Sequence, residues 1–290
     1  MRPSLAFVIA LVACRVPELD FTGKECPCPD GYSCDTGTNT CARGDVVFDA
    51  SSSADARSDA SVLRDAAGSS YRDIVVADAP IAYWRLDDPG PVALDQMGHV
   101  NGTYSGNCVY GVAGATDDSD TAALFDGSNC EVSLSDMGNS LEFDGTHAYS
   151  VEAWMNDDPV TVGYRVVFSK ESRMMSPIDG YALVDSTAGV YFERSVGSSA
   201  PTTMKMSHPN NTYVYLVGVY DGSAFTLYID GSAGTPFADV RSMPAYMATG
   251  LIGADLNGDH FAGALDEVAI YGYALTPQQI ATHYHAASAH

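Results

Sequence analysis

The stretch from Leu251 to Tyr284, LIGADLNGDHFAGALDEVAIYGYALTPQQIATHY, constrains the fold more than any other part of the chain. From Phe261 to Tyr271 the pattern alternates, with Ala264, Asp266, Val268 and Ile270 on one side and Leu265, Glu267, Ala269 and Tyr271 on the other. Both sides are largely apolar, which predicts a central strand of a sandwich rather than an edge. Leu251 to Gly253 is a short apolar strand and Asp255 to Asp259 is turn chemistry, so the two strands are expected to form a hairpin. Thr276-Pro277-Gln278-Gln279 starts a helix: a hydroxyl N-cap, proline at N1 and glutamine three residues after the cap. Asp266 and Glu267 are the anomaly, because a buried carboxylate requires hydrogen-bond donors or a cation.

Upstream, from Tyr71 onward, short runs of Val, Ile, Tyr, Phe and Leu are separated by Gly, Asp, Asn and Ser. Helical periodicity is nearly absent before the C-terminus. Strands at this spacing predict an all-β sandwich over residues 71–290. In YSVEAWM, Tyr149, Val151, Ala153 and Met155 face the core, and Ser150, Glu152 and Trp154 face away from it. Tyr213 to Tyr220, the turn Asp221-Gly222-Ser223 and Phe225 to Ile229 make the strongest hairpin signal.

The phrases AYWRLDD, NGTYSG, ALFDGSN, YSVEAWM, VGVYDGSAFTLYIDG and FAGALDEVAIY occur in an order that resembles the laminin G-like, concanavalin A-like lectin/glucanase family. The resemblance implies a jelly-roll β-sandwich. It also implies a structural calcium where the first and last strands meet, with Asp266 as a ligand and Asp87, Asp88 and Asp126 as helpers. The competing role for Asp266 is to cap backbone amides of a neighbouring loop.

Residues 1–14, MRPSLAFVIALVAC, contain an apolar run far shorter than the roughly 20 residues that span a bilayer, and read as an export signal. Leu11-Val12-Ala13-Cys14 resembles the bacterial lipobox, which makes Cys14 a lipidation site and predicts an exported, lipid-anchored protein at the outer membrane or cell surface. The other six cysteines are Cys26, Cys28, Cys34, Cys41, Cys108 and Cys130, an even number that suits disulfides in an oxidising compartment. Within residues 15–43, Cys26 and Cys28 are too close to bridge each other comfortably, which leaves 26–34 with 28–41, or 26–41 with 28–34. Zinc is the competing reading for that module. Cys108 and Cys130, expected on neighbouring strands, are expected to pair. Residues 44–70 are Asp/Ala/Ser-rich and too poor in apolar residues to fold, a solvated spacer.

The 37 acidic against 14 basic residues, a net charge of −23, argue against nucleic acid and anionic membrane as partners. No strand carries two glutamates in the face-sharing arrangement of a retaining glycosidase, and no nucleophile triad or phosphate loop stands out, so the leading reading is non-catalytic, with a glycoside hydrolase-like enzyme lacking a recognisable motif and a structural envelope or adhesion component as alternatives. His283 and His285, near the C-terminus, are expected in solvent. Recognition of a glycan or surface protein is assigned to aromatic and acidic residues expected to share one open sheet face: Trp154, Glu152, Tyr181, Asp185, Tyr191 and Glu193.

Overall fold

A computed structural model describes residues 32–35, 40–43, 70–116, 120–158, 163–172, 177–197, 202–209 and 211–287. The expectations for Cys14, Cys26 and Cys28 and for the acidic spacer fall outside those residues. The chain divides into two compact units, residues 1–63 and 64–290. In the first, strands β1 (Tyr32–Asp35) and β2 (Thr40–Arg43) pair antiparallel, with Cys34 and Cys41 in register.

The second unit begins with helix α1 (Tyr71–Ala77), followed by β3 (Ala82–Trp84), β4 (Val92–Ala93), β5 (Gly102–Ser105) and β6 (Val109–Ala113). Next come β7 (Thr121–Asp126), β8 (Glu131–Leu134), β9 (Tyr149–Asp157), β10 (Tyr164–Glu171), β11 (Gly180–Ser186) and β12 (Val190–Ser195). The chain continues through β13 (Thr202–Met206), β14 (Val214–Tyr220), β15 (Ala224–Ile229), β16 (Ser232–Ala233) and β17 (Phe237–Ala238). It closes with β18 (Leu251–Ile252), β19 (Ala262–Tyr271) and helix α2 (Pro277–Ala287).

These strands form two antiparallel sheets packed as a jelly-roll sandwich. One has eight strands in the order β13-β12-β11-β10-β18-β8-β5-β4. The other has nine: β16-β15-β14-β9-β19-β7-β6 in order, with β17 on β15 and β3 on β19. Tyr149, Val151, Ala153 and Met155 of β9 enter the core between the sheets, as their alternation predicts. The predicted β14–β15 hairpin forms, and Asp221 Oδ1 accepts the amides of Ser223 and Ala224 at its turn. The box at the start of α2 forms as well: Gln279 N donates to Thr276 Oγ1 and Thr276 N donates to Gln279 Oε1.

Three expectations are corrected. The stretch from Leu251 to Tyr271 is a crossover, not a hairpin. β18 lies in the eight-stranded sheet between β10 and β8, while β19 lies in the nine-stranded sheet. The Asp255 turn, whose carboxylate accepts the amides of Asn257 and Asp259, carries the chain from one layer to the other. The alternation of β19 also breaks once. On β9, Trp154 faces Asp266 and Glu152 faces Ala269, so β19 has one extra residue, and Glu267 takes φ 52°. Leu265, Val268 and Ile270 therefore share the core, and Ala269 and Tyr271 turn to the outer face. Finally, α1 is a helix where none was expected. Ser70 caps it by accepting the amide of Asp73, a short S-x-x-D box that the β-rich sequence Tyr-Arg-Asp-Ile-Val-Val masks.

Cys108 and Cys130 are bonded, with Cα atoms 5.0 Å apart. They lie just before β6 and β8, which belong to different sheets, so the bridge ties the two layers together instead of joining neighbours in one.

Candidate recognition rim and acidic junction

The six residues expected to share an open face are placed in separate environments. Glu152 and Trp154 lie on the outer side of the nine-stranded sheet, beneath α1 and α2. Trp154 Nε1 donates to Tyr71 Oη at 3.1 Å. Glu152 is fully buried and accepts from Tyr215 Oη at 2.6 Å and Tyr271 Oη at 2.9 Å, and pairs with His283 Nδ1 at 2.9 Å. His283, expected in solvent, is thus buried between the sheet and Asp78 at the end of α1, whereas His285 is exposed. Burial alone would lower the His283 pKa, but the charge and hydrogen bond of Glu152, with Asp78 behind it, raise it to about 9.

Tyr181 is in the core, and its hydroxyl donates to Leu141 O at 2.9 Å. Asp185 is buried in an ion cluster. It pairs with Arg165 and with His208 Nε2 at 2.9 Å, while Asp157 at the end of β9 lies 3.2 Å from the same guanidinium. The hydrogen bond that His208 donates to Asp185 raises the pKa of His208 above its ordinary value. Tyr191 and Glu193 are on the outer face of the eight-stranded sheet, where Tyr164 Oη donates to Glu193.

Asp266 sits where β19 changes partner. β7 pairs with Ala262–Leu265 and β3 with Val268–Ile270, so the bulge falls between the two strand ends. That junction collects Asp120, which precedes β7, with Asp266 and Glu267, and the three offer carboxylate oxygens within 4.8 Å of one another. Arg85, which follows β3, lies 2.7 Å from Asp120 and 3.1 Å from Glu267, and Tyr83 Oη donates to Glu267. Asp266 Oδ2 accepts Ala115 N at 2.7 Å, whereas Asp266 Oδ1 is buried with no hydrogen-bond partner among the described residues. Burial raises the pKa of Asp266 and of Glu267 well above the ordinary carboxylate range, and their neighbouring carboxylates raise it further. Among the described residues Arg85 is the one cation at this junction, and an all-oxygen set with a buried oxygen left over fits a hard divalent cation such as calcium, which would favour the ionised carboxylates.

The expected helpers are elsewhere. Asp126 is at the opposite end of β7 from Asp120, where it accepts the amides of Ser128, Asn129 and Cys130. Asp88 accepts the amide of Leu94, and Asp87 touches the junction only through Arg85, at 3.4 Å. Sequence inspection missed Asp120 and Arg85 because strand pairing, not spacing along the chain, brings them to Asp266.

Open clefts occur instead along one rim, where the β8–β9 loop (135–148) meets the β17–β18 loop (239–250). The loops are zipped together by Gly145 and Met243, each amide donating to the other's carbonyl, and by Ala248 N donating to Glu142 at 3.2 Å. Buried cations hold them from below. Lys170 Nζ is 3.0 Å from Asp136 and 3.7 Å from Glu142. Arg194 donates to Gly145 O and Arg241 O, pairs with Asp239 at 3.2 Å, and lies 4.4 Å over the Tyr220 ring. On this frame sit two clefts. The larger, about 520 Å³, is lined by residues that include Asn139, Glu142, Asp179, Tyr246 and Met247. The smaller, about 360 Å³, is lined by residues that include Asp136, Met137, Lys170 and Thr249. Met137 is 98 % exposed and Met247 77 % exposed, two large apolar side chains held in water, one on each rim loop.

A two-sheet jelly roll of this topology has a lectin-like architecture. A family model described as the Concanavalin A-like lectin/glucanases superfamily matches residues 126–281, more than half the chain, and the chain belongs to that family. No curated protein matches it. Among solved structures it is similar to domain 4 of AbnA, a GH43 extracellular arabinanase from Geobacillus stearothermophilus, in complex with arabinotriose. The TM-score is 0.56 with 19 % identity, over 71 % of this chain and 98 % of that one. It is also similar to the binding domain of botulinum neurotoxin serotype D, with a TM-score of 0.56 and 12 % identity over 71 % of this chain. The serotype G binding domain gives 0.56 and 10 % over the same share. The matched region spans about half the length of either toxin domain. The fold is thus shared by toxin binding domains and by a domain of a glycoside hydrolase.

Proposed function

We propose that this chain is a non-catalytic recognition module, held at the cell surface by a lipid on Cys14, that binds a glycan or a surface protein through the rim formed by loops 135–148 and 239–250. The observation that carries the reading is the pairing of exposed Met137 and Met247 with clefts whose carboxylates are fixed in place by buried Lys170 and by backbone amides. Carboxylates accept sugar hydroxyls, while Tyr246 and the methionines offer apolar surface to a ring's CH face or to a protein. The arabinotriose complex of the arabinanase domain supports the glycan arm, and the toxin binding domains support recognition on this fold in general. The reading includes a structural calcium at Asp120, Asp266 and Glu267, remote in sequence from the rim loops.

A glycan array run with and without calcium tests this reading, using the wild type and an Asn139→Ala/Met247→Asp variant. A glycan bound by the wild type and lost in the variant is the expected result. Binding that survives the variant refutes the rim. An empty array with a cross-linked protein partner selects the protein arm, and hydrolysis of any arrayed or soluble β-glucan refutes the non-catalytic reading. For the anchor, Cys14→Ser should move the protein from the detergent phase to the aqueous phase on phase separation; unchanged partition would remove the lipid from the account.

A further inference from the structure

A second cavity lies away from the rim, on the outer side of the nine-stranded sheet next to α2. It measures about 380 Å³, within the range of small-ligand sites, and Trp154, Tyr213, Tyr284 and Asp230 are among the residues lining it. Trp154 and Tyr284 stack with ring centroids 6.0 Å apart and planes 16° apart, and Tyr284 continues the stack over Tyr215 at 6.2 Å.

The polar atoms of Trp154, Tyr215 and Tyr213 are already engaged. Trp154 Nε1 donates to Tyr71, Tyr215 Oη to Glu152, and Tyr213 Oη to Ala113 O at 2.7 Å. What Trp154 and Tyr213 offer the cavity is therefore ring surface and not donors. Asp230 Oδ1 accepts Tyr215 N at 3.0 Å, and Asp230 Oδ2 has no protein partner among the described residues.

We infer that this cavity is a binding site for an organic ammonium group, held against the rings of Trp154, Tyr213 and Tyr284 and by the carboxylate of Asp230. Ring faces carry negative potential, and a desolvated cation over them is attracted by the quadrupole. Asp230 adds a full charge, and no Lys or Arg is among the described lining residues. A neutral sugar fits less well, because it needs several directional hydrogen bonds. The polar atoms of Trp154 and Tyr213 are committed elsewhere. The shared chemistry is an alkylated ammonium, which a choline-type head group or a methylated lysine side chain would supply.

The test uses the folded chain and the indole N–H resonances of its two tryptophans. Trp84 is fully buried in the main core with its Nε1 bonded to Val100 O, so it serves as an internal control. Choline, N-acetyl-trimethyl-lysine, the neutral isostere 3,3-dimethylbutan-1-ol and arabinose are titrated in turn. A cation should shift Trp154 and leave Trp84 in place, with the isostere about tenfold weaker. Asp230→Asn keeps an acceptor for Tyr215 N and a side chain that tolerates the φ of 50° there, and should weaken cation binding about tenfold while the fold is retained. Tyr213→Leu should weaken it similarly, and the rim variant should bind as the wild type does. A response to choline alone assigns the site to free head groups, and a tighter response to the lysine derivative assigns it to a side chain. Equal binding of isostere and choline, tighter binding of arabinose, or an unmoved Trp154 at saturating choline overturns the inference.

Discussion

Replacing His283 with glutamine should remove the part of this domain's alkaline sensitivity that its imidazole carries. The imidazole is fully buried, 2.9 Å from Glu152 and 3.0 Å from Asp78, with Tyr215 Oη at 3.4 Å and the Tyr71 and Tyr271 rings around it. Its pKa in the folded chain, about 9, stands above the ordinary 6.5, so the folded state binds the proton more tightly than the unfolded state does. That stabilisation is complete below pH 6.5, declines between 6.5 and 9, and is gone above about 9. Raising the group from 6.5 to about 9 is equivalent to about 3 kcal/mol. For a domain of this size that corresponds to roughly 6–12 °C in Tm. His208, whose pKa Asp185 also raises, contributes in the same direction, so the informative quantity is the difference between wild type and variant. Urea unfolding at pH 6, 8 and 10 should show His283→Gln less stable than wild type by about 3 kcal/mol at pH 6, with the two curves converging at pH 10. Parallel curves with a constant offset would show that the ion pair does not titrate in this window, and the argument would fail.

Two further outcomes follow from the same geometry. The Cys108–Cys130 bridge closes a loop of 22 residues, so a Cys108→Ser/Cys130→Ser variant should lose about 3 kcal/mol in urea unfolding; an unchanged midpoint would mean the sheets hold their spacing without it. At the acidic junction, calcium should raise the Tm of the wild type and EDTA should reverse it, whereas Asp266→Asn, which keeps an acceptor for Ala115 N, should be insensitive to both. Because burial holds Asp266 and Glu267 above the ordinary carboxylate range, the metal-free wild type should lose stability as pH rises through their titration, and Asp266→Asn should lose less. Identical calcium responses in the two proteins would remove the metal from this site.

The parts of the fold legible in the sequence are those governed by local periodicity. The two faces of β9, the β14–β15 hairpin and the box at Thr276 are each written in residues a few positions apart, so an alternation or a cap can be read directly. What escaped reading depends on pairing at long range. Trp154 and Glu152 were correctly placed on the side facing away from the main core, yet they are covered by α1 and α2, and only the docked helices reveal that. A ring and a carboxylate on a non-core face therefore do not by themselves mark a concave binding surface. Glu152, whose carboxylate accepts the Tyr215 and Tyr271 hydroxyls, needs the cover of that helical layer to be buried.

β19 shows the same division within a single strand. Its apolar content on both sides correctly made it central, because a strand paired on both edges and covered on both faces cannot afford a polar side. Strict alternation then assigned Leu265 to the wrong partners, because one extra residue at Glu267 shifts every later side chain to the opposite face. The two consecutive carboxylates were the trace of that bulge. An unbroken strand would have pointed one of them into the core between the sheets; the bulge turns both toward the gap between β3 and β7, where Arg85 and Tyr83 can reach Glu267 and the amide of Ala115 can reach Asp266. The carboxylates and the bulge thus explain each other: the charges need the gap for partners, and the gap exists because the strand breaks its period where they lie.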